Sequence, residues 1–344
     1  MKKVFAITLA LLMVAFVFVS CVANSTTETG TESQTVAKET ERDTEAATES
    51  QTTAATEAET NAVTETESYT ETQTETESET EPPILEAGVN SGIVRDGTPK
   101  KYFTLRLDDC TTQDARIIEM FKRYNFDAVT FYMNTGLFGA DWTAGVGVSH
   151  VRYTKAESLE MYAGYDVGVH TVNHLSLKNQ GDRKVAYEVN TDAKVLMNMY
   201  GYTPVGMAWP GGDTEWNAHT VNVVSEKTEI KFGSCTTATN NFKLPTQFLT
   251  WYPTCHWTQS NTTYLLQQFI DADLTEDMLF YVWGHGYELD NFPNDTGLTR
   301  LEQIIKTITE AAAEDPNIVL VTNSEFYQLF KDEIPSYIPV EVEE

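Results

Sequence analysis

Tyr102-Phe103-Thr104-Leu105-Arg106-Leu107-Asp108-Asp109-Cys110 is the stretch on which the fold turns. Its first six residues read as a strand, and the strand stops on two adjacent carboxylates. Residues 113–124 follow with Ile117, Ile118 and Phe121 on one stripe, which predicts a helix. Residues 128–132 then read as a second strand. The rhythm continues along the chain: a helix over 155–162, a short strand at 166–169, and a long helix over 182–200 stopped by Gly201. A strand at 205–209 ends on Pro210-Gly211-Gly212, a helix over 216–226 leads to a strand at 230–232, and 279–283 is strongly strand-like. A helix over 298–313, a strand at 318–321 and a terminal helix complete the pattern. Such alternation predicts an α/β fold with parallel strands and outer helices, the sheet either open or closed into a barrel.

Folds of this class carry their chemistry where strands end. Past the first strand lie Asp108 and Asp109, and past the strand at 166–169 lies His170-Thr171-Val172-Asn173-His174. Trp209-Pro210-Gly211-Gly212 ends another strand, and Trp283-Gly284-His285-Gly286 ends the strand at 279–283. Three of the six histidines thus fall at strand ends. His170 and His174 are four apart, a spacing that puts both rings on one face of a helical turn. Joined on one rim with a carboxylate, they suit a zinc-type site of two His and one Asp with a coordination position left open. His150 and His219 look peripheral.

At these residues the sequence resembles the NodB-like polysaccharide deacetylases, carbohydrate esterase family four. The resemblance rests on Leu107-Asp108-Asp109-Cys110, on His170-Thr171-Val172-Asn173-His174, on Ala208-Trp209-Pro210-Gly211-Gly212 and on Trp283-Gly284-His285. It covers roughly 101–330. It implies a distorted (β/α) barrel of the NodB type and metal-dependent removal of N- or O-acetyl groups from a polysaccharide. Asp109, His170 and His174 would hold a divalent ion, most plausibly Zn²⁺, with Co²⁺, Mn²⁺ or Ni²⁺ also compatible with the donor set. The resemblance further implies that the ion would polarise the acetyl carbonyl and acidify water, that Asp108 would take the water's proton, and that His285 would protonate the leaving group. Trp209, Pro210, Gly211, Trp283 and His256 are the candidates for substrate contact. Two departures stand out: Cys110 replaces the usual Gly, and Ala208 replaces an Arg that many members carry to orient the base or acid. They motivate an alternative, a glycan-binding surface lipoprotein with impaired turnover. A metal-dependent hydrolase of a non-sugar amide is a further alternative.

The rest of the chain is unlike this domain. Met1-Lys2-Lys3 precedes an apolar run that ends at Val19-Ser20-Cys21, which reads as a signal peptide over 1–21. Val19-Ser20-Cys21 resembles the lipobox of bacterial lipoproteins, which implies lipidation of Cys21, two acyl chains for stable anchoring, and a place at the bacterial cell surface. Residues 22–83 are rich in Thr, Glu, Ser and Ala, with sixteen acidic residues against Lys38 and Arg42. Such a stretch cannot bury enough apolar surface to offset chain entropy, so a disordered linker is expected there, with the catalytic domain over 84–344. The whole chain carries a formal net charge of -28. That charge argues against nucleic acid, whose phosphates repel an acidic surface. The expected partners are therefore an acetylated glycan and, through the anchor, a membrane, with the protein itself a monomer. Cys235 and Cys255 could pair; otherwise Cys110, Cys235 and Cys255 are plain thiols.

Overall fold

The stretch that ends in the paired aspartates forms β1 (Lys101–Asp108), and all eight of its residues are buried. The computed structural model describes residues 92–339. Next come α1 (Asp114–Tyr124), β2 (Val129–Met133), α2 (Thr143–Val146), α3 (Lys155–Met161), β3 (Asp166–Val169), α4 (Asp182–Tyr200) and β4 (Gly206–Ala208). After these follow α5 (Ala218–Lys227), β5 (Phe232–Ser234), β6 (Cys255–His256) and α6 (Thr262–Asp271). The last elements are β7 (Met278–His285), α7 (Thr296–Glu314), β8 (Ile318–Leu320) and α8 (Asn323–Phe330).

The strands pair in the order β5-β4-β3-β2-β1-β7-β6, and β8 also pairs with β1. Every strand pair is parallel. The first half of β1 lies against β8 and its second half against β2, while β7 runs along its whole length. The sheet then curls round. The amide of Gly233 donates to Phe248 and that of Cys235 to Trp251, while those of Thr254 and Trp257 donate to Tyr281 and Trp283 of β7. The segment 248–257 therefore spans the gap between β5 and β7 and closes a distorted (β/α) barrel.

Alternation along β1 sorts its side chains. Phe103, Leu105 and Leu107 face outward into the core beneath the helices, together with Ile117, Ile118 and Phe121 of α1. Tyr102 joins an inner cluster with Tyr132, Phe232, Trp251, Tyr281 and Phe326, the last supplied by α8. Thr104, Arg106 and Asp108 share that inward face. Burial on both sides is why these strands read as near-continuous apolar runs.

Most predicted elements match these bounds to within a residue or two. The strand expected at 230–232 is displaced: only Phe232 belongs to β5, which runs on to Ser234. α6 and the closing segment 248–257 had no counterpart in the sequence reading. Cys110, Cys235 and Cys255 are all buried free thiols, so the possible pairing of Cys235 with Cys255 is not made. The signal peptide, the linker, Cys21 and the boundary at 84 lie outside the described residues. Among the described residues no helix is long and apolar enough to cross a membrane.

Candidate active site

The ends of β1, β3, β4 and β7 meet at one rim around a cleft of about 500 Å³. Asp108, Asp109, His170, His174, Trp209, Gly211, Trp283 and His285 all line it. Pro210 is buried behind that wall, and His256 lies one layer further back, reaching the site through Glu288.

Two turns deliver the donor atoms. The first bends sharply after β1, with Asp109 at φ 75° and Cys110 at φ 53°. This left-handed backbone suits glycine. The Cys110 side chain turns away into the core, its thiol 3.5 Å from the carbonyl of Tyr132, and so it faces no ligand. The second turn carries His170 and His174. It is not the helical turn that the i,i+4 spacing suggested: Thr171 (φ 66°) and His174 (φ 51°) are both left-handed, and the tight loop brings the two rings together at 4.8 Å between centroids. Strain of this kind persists only where the surroundings hold it. Here they do. Asn134 Nδ2 donates to the carbonyls of His170 and Thr171. Asp192 of α4 accepts from the His170 amide at 3.0 Å and from Thr135, and Glu188 of α4 accepts from Asn173.

Asp109 Oδ1 lies 3.9 Å from His170 Nε2 and 3.8 Å from His174 Nε2. One donor atom from each of the three residues falls within 4.8 Å of the others. The tautomer of His170 is fixed by its neighbour: Nδ1 sits 2.9 Å from the carbonyl of Ala208, which can only accept, so Nδ1 carries the proton. The buried Nε2 is then a bare lone pair, and it has no hydrogen-bond partner. Burial pushes both imidazoles down to about 4, so they are neutral at pH 7. A carboxylate and two neutral imidazoles gathered at one point, with the Nε2 lone pair of His170 bare, form a donor set suited to a divalent cation.

The rest of the site surrounds the two carboxylates with positive charge. Arg152 Nη2 donates to Asp109 Oδ1 at 2.6 Å, and its guanidinium stacks 4.4 Å over the Trp142 ring. His150 Nε2 approaches Asp109 Oδ2 at 3.2 Å. Burial works to raise the Asp109 carboxyl, but His150 and Arg152 overcome it and hold it well below the usual carboxylate range. Burial pushes Asp108 up, opposed by Arg106 and His285. His150 is therefore not peripheral, as the sequence suggested, but packed against the Asp109 carboxylate and stacked 4.4 Å from Tyr287. His219 is peripheral, paired on the surface with Asp182.

His285 Nδ1 lies 3.1 Å from Glu288 Oε1, and Glu288 Oε2 accepts from the His285 amide at 3.0 Å. His256 adds a third donor. Its Nδ1 accepts from the Thr258 amide, so Nε2 carries the proton and meets Glu288 Oε1 at 3.2 Å. The same tautomer rules out His256 as a metal ligand, although His256, His285 and Glu288 also cluster closely. Burial works to lower the His285 imidazole, yet the charge and hydrogen bond of Glu288 outweigh it and raise it to about 9. The flanking glycines are sterically required. A Cβ at Gly284 would fall 2.1 Å from the Trp257 ring, and one at Gly286 would fall 1.8 Å from Asp114 Oδ1.

Five of the six histidines thus belong to this site, together with Arg106, Arg152, Trp142, Tyr287 and Glu288. Arg106 and Arg152 gave no sequence signal of their own beyond the oddity of an arginine between Leu105 and Leu107. On a distorted (β/α) barrel, paired carboxylates and two imidazoles thus share one cleft with His285. Residues 95–231 match the family model described as polysaccharide deacetylase. No curated protein matches the sequence. Among solved structures, the chain is similar to a family 4 acetyl xylan esterase from Clostridium thermocellum in complex with a cobalt ion (17% identity, 70% of this chain and 100% of that one, TM-score 0.42). It is also similar to a CE4 family pseudoenzyme from Bacillus anthracis (16% identity, 68% and 67%, TM-score 0.41). A family 4 carbohydrate esterase from Streptomyces lividans in complex with acetate is a third such neighbour (14%, 63% and 90%, TM-score 0.39).

Proposed function

We propose that this chain is a metal-dependent deacetylase of an acetylated glycan, held at the bacterial cell surface by lipid on Cys21. The observation that carries the reading is the unprotonated, unpartnered Nε2 of His170 facing Asp109 and His174, with Asp108 and His285 lining the same cleft. A divalent ion held by Asp109, His170 and His174, Zn²⁺ in the first instance, would polarise an acetyl carbonyl and acidify water. The protein groups then divide the proton work. Asp108 has one oxygen, Oδ1, with no partner; it takes the proton of the attacking water. His285, raised to about 9, is charged at pH 7 and delivers a proton to the leaving amine or alcohol. Trp142, Trp209, Trp283 and Tyr287 give the cleft aromatic walls on which sugar rings can stack.

One observation favours the alternative of a glycan binder with impaired turnover. Arg152 already occupies Asp109 Oδ1, the carboxylate oxygen nearest both imidazoles. The two readings part on one experiment. The protein, loaded with Zn²⁺ or Co²⁺, is incubated with acetylated chito-oligosaccharides and with acetyl-xylan, and acetate release and bound metal are measured. Release that disappears in Asp108→Asn supports the deacetylase. Glycan binding without release and without stoichiometric metal overturns it in favour of the binder. Stoichiometric metal with no release from either glycan turns the search to small amides.

A further inference from the structure

Arg106 is an arginine sealed inside a barrel. It is fully buried, and none of its guanidinium nitrogens makes a hydrogen bond. Leaving a charge in such a place is strongly unfavourable unless an opposite charge compensates it. Among the described residues one carboxylate does so: Asp108 Oδ2 lies 3.4 Å from Nη2. The two are separated by one residue on β1, so alternation sends both side chains to the same inward face, one above the other. The far side of the guanidinium is closed by the Trp283 ring, 4.8 Å from Cζ to the centroid. Trp283 belongs to β7 and is paired in register with Arg106 itself. The phenols beneath are committed elsewhere: Tyr281 Oη to Ser234 and Asn323, and Tyr132 Oη to Asn323. Arg106 therefore has a fixed height in the barrel and, among the described residues, a single carboxylate partner, whose other oxygen makes no hydrogen bond.

We propose that Arg106 is the positioning residue for Asp108. Its guanidinium holds Oδ2 from below, inside the barrel, and so leaves Oδ1 as the oxygen presented to the cleft. The assignment rests on the deacetylase reading for its catalytic meaning, but the pairing is a property of the fold. It also explains why the rim tolerates Ala208: a guanidinium already sits beneath the carboxylate, on a different strand.

The test is a double-variant cycle on the metal-loaded protein, comparing Arg106→Met, Asp108→Asn and the two combined. If Arg106 acts through Asp108, each single variant melts well below the parent because it strands one buried charge. The combined variant, which removes both, regains at least half of the larger loss. Arg106→Met should lower kcat by about tenfold or more with KM within about twofold, and should add no further loss in the Asp108→Asn background. Bound metal should stay unchanged. Arg106→Lys keeps the charge, and so keeps the fold should Arg106→Met fail to express. It loses the planar reach and should fall between parent and Met in kcat. Melting losses that simply add, an equal further kcat loss in the Asp108→Asn background, or loss of bound metal in Arg106→Met each overturn the proposal. If the parent releases no acetate from any glycan, the functional reading fails by itself. The melting cycle then still decides, coupling supporting the assignment and additivity overturning it.

Discussion

Glu288 sets the charge state of His285. It accepts the His285 ring and amide and the His256 ring, so it remains ionised and keeps His285 protonated to about pH 9. A general acid must carry its proton, so kcat/KM should hold to about pH 9 and fall above it. In Glu288→Gln the alkaline limb should move down toward the ordinary histidine value of 6.5, which a pH–rate profile would reveal; an unmoved limb would assign the acid to another group. The sign for stability follows the same way. The folded value is raised above 6.5, so the contribution of protonated His285 is full below pH 6.5 and is lost as pH rises through 9. The placement of the cleft residues was partly legible in the sequence. Asp108, Asp109, His170, His174 and His285 announced themselves by sitting just past apolar runs. His150, Arg152 and Glu288 did not, because loop residues carry no periodicity and their partners are distant in sequence. Arg106 was hidden for the opposite reason, as it lies within a strand that otherwise reads as uniform core.

At the scale of elements, the site depends on what stands behind its loops. α4 braces the His170–His174 turn through Asp192 and Glu188. Both are buried acids on a helix whose exposed face gave no hint of them. Asp192→Ala should leave α4 intact but weaken metal affinity by roughly 10–100-fold, the usual cost of removing a residue that orients a ligand, as a calorimetric titration would measure. Undiminished affinity would mean that the turn holds itself. The end of β7 offers a second check. Gly284→Ala forces a methyl into the Trp257 ring and should cost about 1–3 kcal/mol in a denaturant melt, typical of overpacking. The helices were readable because their apolar stripes have a strong period. β5 was misplaced because Ile230 and Lys231 look like strand yet precede the pairing. The closing segment 248–257 was missed because its two ends bond to different strands, and neither end alternates for long.

For the whole molecule, the proposed metal would add to stability. An ion that binds only the folded state at a free concentration one hundred times its Kd adds about 2.7 kcal/mol. For a domain of this size that is roughly 5–10 °C in Tm. Stripping the protein with a chelator should lower its Tm by that amount, and Zn²⁺ should restore it; an unchanged Tm would deny the site its metal. The barrel class was legible because its alternation is global. Its closure was not, because it rests on hydrogen bonds made by irregular backbone. The central place of β1 has a consequence for how the molecule comes into being. Among the described residues β1 is the first strand made, yet it lies between β7 and β8, which are the last two. Its carboxylates must wait for roughly 170 further residues before the strand that seats His285 can pair with it, the long-range wiring that slows folding. An unfinished chain can pair β1, β2 and β3 and so gather Asp109 with His170 and His174, but His285 joins them only when β7 arrives, and the rim is completed with the last strands of the barrel.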